Sequence, residues 1–183
     1  MRRTASSSTT RVHDAVVETY MVNERMNQII LNQLDPRAWR AKAHGRNART
    51  IAAIFAHVHN IRLKWIRLSA PHIKSPRKLD RTSCSIRQAS TALAESAESC
   101  GTMLAQAFSA SEPRVKQFLR DGWSTPWPAG ASMFAYMISH EAHHRGQVCM
   151  LAHQLGFPLG NKATSEMWCW ERLWKECGFG TIR

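Results

Sequence analysis

Apolar residues recur at intervals of three and four over four long segments, a spacing that predicts amphipathic helices rather than strands. Pro and Gly residues separate these segments, and no alternating strand pattern competes with them. The predicted helices span residues 13–34, 48–69, 84–108 and 129–156, with a shorter one near 165–176. The chain is therefore predicted to be all-α, a four-helix bundle with an additional C-terminal helix.

Length and composition favour one domain in a reducing compartment. The chain has 183 residues, of which 44% are hydrophobic, enough for a single sizeable core. Residues 1–12, MRRTASSSTTRV, contain no acid and few apolar residues, so we expect a disordered tail before a domain over 13–183. No apolar run approaches the roughly 20 residues of a membrane span, and the start does not resemble a signal peptide. Five cysteines without a C-x-x-C pair also fit a soluble, cytoplasmic protein.

The predicted helix 129–156 places two histidines on its apolar face. At 100° per residue, His140 and His144 fall in the middle of a stripe of five apolar side chains, Met133, Met137, Val148, Leu151 and Leu155. Imidazoles on an apolar face need polar partners, and one metal ion would satisfy both. We therefore expect His140 and His144 to bind a metal, with His143 at the edge of the stripe and Arg145 pointing away.

The predicted helix 48–69 offers a third histidine. Its apolar stripe consists of Ile51, Ile54, Val58, Ile61, Trp65 and Leu68. His57 lies on the border of this stripe and can face the core, whereas His59 lies nearly opposite and is expected to face outward. His57 is therefore a candidate third ligand, but its position alone does not decide between a ligand and an ordinary core histidine.

The run His140-Glu141-Ala142-His143-His144 also matches the H-E-x-x-H pattern of zinc peptidases. The extended form of that pattern is absent, because Gly and His do not follow at the required positions. Glu166 or Glu171 remains a formal third ligand for a peptidase. Glu141 lies off the centre of the stripe and could equally be an exposed residue paired with Arg145 at i+4.

Two segments resemble the DinB/YfiT-like superfamily of metal-binding helical proteins. They are TIAAIFAHVHNIRLKWI and MISHEAHHRGQVCMLAHQLG, in which the His-x-x-x-His-Arg-Gly-Gln run is the most specific part. NERMNQIILNQL and MWCWERLWKECGF extend the resemblance over about residues 13–179. It implies an up-down-down-up bundle, often a homodimer, with a divalent metal held by His57, His140 and His144.

A three-imidazole site on Zn²⁺ or Ni²⁺, the most suitable metals, would leave at least one coordination position open, as in catalytic rather than structural sites. Gln147 lies on the stripe of the ligands and could bond a metal-bound water or a ligand ring; Glu141 and His143 are further candidates for supporting roles. Trp168 and Trp170 could cover the pocket. The resemblance implies an enzyme that uses low-molecular-weight thiols, and a metal-dependent hydrolase is an alternative.

The positive charge is concentrated in one stretch. From Arg37 to Arg87 there are 13 Lys and Arg residues against one acid, Asp80, and the rest of the chain carries 12 residues of each sign. This stretch lacks a recognisable nucleic-acid module, so we expect a solvated basic face with weak or no nucleic-acid binding. It could instead bind the carboxylates of a thiol substrate, with Lys64 placed near His57. A non-catalytic nucleic-acid-binding protein with a structural metal remains a second alternative.

Overall fold

Four long helices form the body of the molecule. The computed structural model describes residues 5–43, 48–109, 113–119, 127–128 and 131–179, with only the backbone described for 5–12 and 127–128. The helices are α1 (Ala5–Gln33), α2 (Ile51–Ser69), α3 (Ile86–Ala107), α4 (Ala131–Gln154), α5 (Asn161–Glu166) and α6 (Trp170–Glu176), with a short 3₁₀ helix at Pro36–Ala38. β1 (Gln117–Phe118) pairs antiparallel with β2 (Trp127–Pro128) between α3 and α4.

The helix directions follow from two apolar clusters at opposite ends of the bundle. The first joins the late turns of α1 and α4 to the early turns of α2 and α3, and includes Leu34, Ala152, Ile54 and Ala89. The second joins the early turns of α1 and α4 to the late turns of α2 and α3, and includes Tyr20, Met133, Ile66 and Leu104. The order is therefore up-down-down-up, and the neighbouring pairs are α1–α3, α3–α2, α2–α4 and α4–α1.

Local capping explains where the central helices begin and end. The Thr50 side chain accepts a hydrogen bond from the Ala53 amide at the start of α2, and Ser85 and Gln88 form a capping box at the start of α3. Gly156, with φ 81°, ends α4, where the Phe157 amide donates to the Ala152 carbonyl. This conformation favours glycine because a Cβ is strained at positive φ.

The all-α bundle with additional C-terminal helices is confirmed, but three details differ from the prediction. α1 already begins at Ala5, so its backbone includes part of the segment predicted as a disordered tail, and residues 1–4 lie outside the described residues. The predicted C-terminal helix is two helices, because tight i to i−3 bonds from Trp168 and Cys169 turn the chain between them. The short β ladder was not predicted. The division into a tail and a domain stays a prediction.

The two apolar clusters are separated by a buried polar layer, to which every helix of the bundle contributes. Its fully or nearly fully buried members are Tyr20, Asn23, Glu24, Asn27, His59, Arg62, Ser96 and Glu141. Within the described residues, none of the helices is both long and apolar enough to cross a membrane.

Candidate metal centre

His57, His140 and His144 form a cluster between α2 and α4. One ligand atom from each lies within 4.8 Å of those of the other two. The ring centroids of His57 are 5.4 Å from His140 and 4.7 Å from His144, and those of His140 and His144 are 4.6 Å apart. Because Zn–N bonds are about 2.1 Å long, side-chain shifts of less than about 1 Å would bring all three nitrogens onto one ion. The cluster could therefore hold a divalent metal.

One of the three rings is oriented by a neighbouring side chain. Nδ1 of His144 lies 2.7 Å from Oε1 of Gln147, one helical turn further along α4. Because an amide oxygen only accepts, this contact requires the Nδ1–H tautomer and leaves the lone pair of Nε2 for a metal. Gln147 was considered as a partner either of a metal-bound water or of a ligand ring. The structure contains the contact with the ring of a candidate ligand, His144.

The electrostatic environment keeps two of the rings neutral at pH 7. Burial, with smaller contributions from His144, Arg49 and Lys64, lowers the pKa of His57 to about 4. Burial also lowers the pKa of His144, against the opposing effect of its Gln147 contact. Neutral imidazole is the form that binds a metal, so these two rings could bind a divalent cation without an energetic cost for removing protons.

Aromatic rings line the cluster on the side of His140. The Trp65 ring meets the His140 ring edge-on at 5.5 Å, and the Tyr136 ring lies 6.1 Å away. The suggestion that Trp168 and Trp170 cover the site is not supported by their positions, since they are 78% and 44% exposed. Trp65 was predicted only as a core residue, and no sequence motif marks Tyr136.

Glu141 does not belong to the histidine cluster, and the alternative of an exposed residue is wrong. Its side chain is fully buried against α1 and α2. Its carboxylate accepts hydrogen bonds from Tyr20 Oη at 2.9 Å, Asn23 Nδ2 at 2.7 Å, Asn27 Nδ2 at 3.0 Å, and Arg62 Nε and Nη2 at 2.8 and 2.5 Å. Burial alone would raise the pKa of Glu141, but its ion pair and hydrogen bonds with Arg62, together with the Asn27 bond, lower it to about 2.

Arg62 is the centre of this polar layer. Its guanidinium bridges Glu141 and Glu24, with Nη2 2.7 Å from Oε2 of Glu24, and also donates to the Leu93 carbonyl. A charged group with no exposure is tolerated because opposite charges and carbonyls surround it. Sequence analysis missed this layer, although polar residues at 20, 23, 24 and 27 share one face of α1 and could have indicated it.

Of the orientations predicted for His143, His59 and Arg145, those of His59 and Arg145 are wrong. His143 is exposed, with its ring 5.2 Å from that of His144. His59 is fully buried rather than outward, because its ring nitrogens contact Ser96 Oγ on α3 at 3.1 Å and the Arg77 carbonyl at 2.9 Å. Arg145 is half-buried against α1 rather than pointing away, and contacts Asn27 Oδ1 at 3.2 Å.

The carboxylates considered as downstream ligands lie elsewhere. Glu166 contacts Gln33 and Arg172, and Glu171 pairs with Lys175. Neither is part of the cluster. Burial raises the pKa of Cys84, Cys149 and Cys177, and that of Cys100 to about 12, so these four thiols are poor nucleophiles.

The fold is an up-down-down-up helical bundle, and three histidines converge between two of its helices. These two features place the chain in a class of helical-bundle proteins that could bind a metal ion. The sequence profile of the DinB family matches residues 8–168, and the chain belongs to this family. Comparisons with curated proteins and with solved structures found no match.

Proposed function

We propose that the chain is a metal-dependent enzyme in which His57, His140 and His144 hold a zinc or nickel ion, and that it transfers a low-molecular-weight thiol to an electrophile. The observation that carries the proposal is the convergence of three ligand atoms within 4.8 Å from two helices. A divalent metal with an open position supplies a Lewis acid that lowers the pKa of a thiol or a water.

The neighbouring residues support transfer of a substrate thiol rather than peptide hydrolysis by a Glu base. The nearest carboxylate in the motif, Glu141, is held by Arg62 in the polar layer and accepts five hydrogen bonds there. In the proposed reaction the thiol proton leaves to solvent, the sulfur forms a bond to an electrophilic carbon, and the leaving group departs with its bonding pair. None of these steps requires a protein carboxylate.

Metal analysis of single variants tests the centre. His57→Ala, His140→Ala and His144→Ala are each expected to lose the roughly one zinc or nickel ion per chain that the wild type retains. His143→Ala is the matched control, since His143 is exposed on the same helix and should keep the metal. His59 is unsuitable as a control because its buried contacts contribute to folding. Retention of metal by His57→Ala would contradict the three-His centre.

Thiol conjugation tests the reaction. Glutathione, cysteine and 2-mercaptoethanol are each incubated with monochlorobimane, whose chloride is displaced by the thiol sulfur. Metal-loaded wild type should accelerate at least one conjugation over the apo protein, and added metal should not restore the rate in His144→Ala. Equal rates for apo and metal-loaded protein with every thiol would contradict thiol transfer. Metal-dependent ester hydrolysis without a thiol would favour the hydrolase alternative.

A further inference from the structure

A long groove runs along the side of α2 and opens onto the histidine cluster. Its floor is formed by Ala53, His57, Asn60, Ile61 and Lys64, which share one face of the helix. Residues 40–42 and 48–50 form one wall, and residues 78–82 of the connection between α2 and α3 form the other. The groove encloses about 1370 Å³, above the roughly 300–1,000 Å³ typical of small-ligand sites.

The groove wall is built by specific contacts rather than by chance proximity. The side chain of Asn60 donates to the Leu79 carbonyl and accepts from the Leu79 amide, both at 2.9 Å. Arg40 donates to the carbonyls of Thr82, Ser83 and Cys84, so the segment after α1 is attached to the connection between α2 and α3. These contacts attach the two walls to each other and to α2 at defined points.

The lining of the groove carries a large excess of positive charge. Among the described residues, its charged side chains are Arg40, Lys42, Arg49, Lys64, Lys78 and Arg81 against the single acid Asp80. The Asp80 carboxylate already accepts bonds from the Thr82 amide and hydroxyl. Among the described residues, the ion pairs of Lys and Arg with carboxylates do not include Arg49, Lys78 or Arg81. Uncompensated charge in a concave surface attracts anions more strongly than the same charge on a flat one.

The positive groups are spread around His57 rather than gathered at one point. Lys64 lies seven residues after His57 on α2, about 10 Å along the helix axis. Arg49 lies just before the start of α2, and Lys78 and Arg81 lie on the opposite wall. A ligand that reached several of these cations would need more than one anionic group.

A second pocket on the other side of Arg49 differs from the groove in the residues that line it. It encloses about 670 Å³ and is lined by Ile54, Met150 and Leu151 together with His143 and Gln147 of α4. Arg49 and Ala48 line both the groove and this pocket. Among the described residues, Arg49 is the only Lys or Arg that lines this pocket, so the groove offers an anion more positive charge than the second pocket does.

We infer that the groove binds a small molecule with two or more carboxylate or phosphate groups, oriented with its reactive end toward His57. The orientation toward His57 rests on the proposed function, because the proposed reaction takes place at a metal held by this residue. Anion binding itself does not require the metal. A small molecule fits better than a nucleic acid because six of the cations of the basic stretch line one bounded groove rather than an extended surface.

Calorimetry and methyl NMR on the full chain test the inference. The probes are tricarballylate, fructose 1,6-bisphosphate and neutral tricarballylamide, titrated at one ionic strength into apo and zinc-loaded protein. At least one of the two anions should bind saturably and the amide should not. The Ala53 methyl, in the groove, should shift, whereas the Ala142 methyl, in the second pocket, should not. The two anions distinguish a carboxylate from a phosphate ligand.

Charge reversals locate the binding site. Arg49→Glu and Lys78→Glu should weaken anion binding at least tenfold. Lys74→Glu and Arg87→Glu make the same change in charge at exposed positions of the basic stretch outside the groove, and should change the affinity less than twofold. Equal weakening by all four variants, or tighter binding of a DNA duplex that displaces the anion, would overturn the inference.

The same samples separate this inference from the proposed function. Anion binding by a wild type that retains no metal would contradict the three-His centre and leave the groove assignment standing. A zinc-loaded protein that binds neither anion at millimolar concentration would overturn the groove assignment and leave the metal centre standing.

Discussion

At the scale of single residues, the contact between His144 and Gln147 has a consequence for metal affinity. The Gln147 oxygen fixes the ring tautomer in which Nε2 can bind a metal. We expect Gln147→Leu to lower the affinity for zinc by about 10- to 100-fold, the usual effect of removing such a partner. Gln154→Leu, an exposed change on the same helix, is the control and should have no effect. Unchanged zinc affinity in a competition titration would show that Gln147 does not orient the ligand.

Glu141 gives a second prediction at this scale. Glu141→Gln retains the shape of the side chain but leaves Arg62 with only one buried carboxylate partner, Glu24. Losing a buried ion-pair partner costs about 3 kcal/mol or more, so the free energy of unfolding should fall by roughly that amount. Glu98→Gln, at an exposed site on α3, should change it by less than about 0.5 kcal/mol.

Metal stoichiometry distinguishes this structural role from a catalytic one. The folded Glu141→Gln protein should retain its metal, because Glu141 does not belong to the histidine cluster. Peptide cleavage by the wild type that disappears in this variant would instead support the peptidase interpretation. Urea titration gives the stability, and metal analysis of the same preparation gives the occupancy.

The histidine cluster could be foreseen from residue spacing, whereas the burial of His59 and Glu141 in the polar layer could not. His140 and His144 follow from the phase of one helix, and the family resemblance identified His57. A helical wheel assumes one buried face for each helix, but α2 contacts both α3 and α4 and is also covered by the residues near Arg77. This second contact buries His59, and a corresponding contact with α1 buries Glu141.

At the scale of elements, α2 and α3 run parallel to each other. The connection between them must therefore return along the length of the bundle. Helix spacing predicted both helices to within about three residues, but not where the connection between them would lie. Its position depends on contacts such as those of Asn60 with Leu79 and of His59 with Arg77, which join residues distant in sequence. Short-range periodicity carries no information about such contacts.

The Asn60 contacts predict a local effect on this connection. In Asn60→Ala the Leu79 amide loses its acceptor and the Leu79 carbonyl loses its donor. We expect faster hydrogen exchange at Leu79 and weaker anion binding in the groove, with the rest of the bundle still folded. Thr102→Ala, which removes a hydroxyl bonded only within α3, is the control. Unchanged exchange at Leu79 would mean that other contacts hold the wall.

At the scale of the whole molecule, the charge distribution predicts how strongly and how specifically the protein binds nucleic acid. The excess lies between Arg37 and Arg87, and six of its Lys and Arg residues line one groove. We therefore expect weak, sequence-independent DNA binding that falls steeply between low and physiological salt, because only counterion release drives it. A mobility assay at two salt concentrations measures this. Sequence-preferring binding that persists at physiological salt would favour the nucleic-acid alternative.

The metal centre should also stabilise the molecule as a whole. His57 lies on α2 and His140 and His144 on α4, so an ion bound by all three joins two helices that are far apart in sequence. A ligand that binds only the folded chain stabilises it by about 2.7 kcal/mol when its free concentration is 100 times its Kd. For a chain of this size, the melting temperature should then rise by about 5–10 °C.

Thermal unfolding of apo protein with and without zinc measures this coupling. Wild type and His143→Ala should show the increase, because His143 is exposed and outside the cluster. His144→Ala should show none, since two remaining imidazoles hold a metal far more weakly than three. An equal increase in His144→Ala would mean that zinc stabilises the chain at another site, and the inference that α2 and α4 are joined through these histidines would then be wrong.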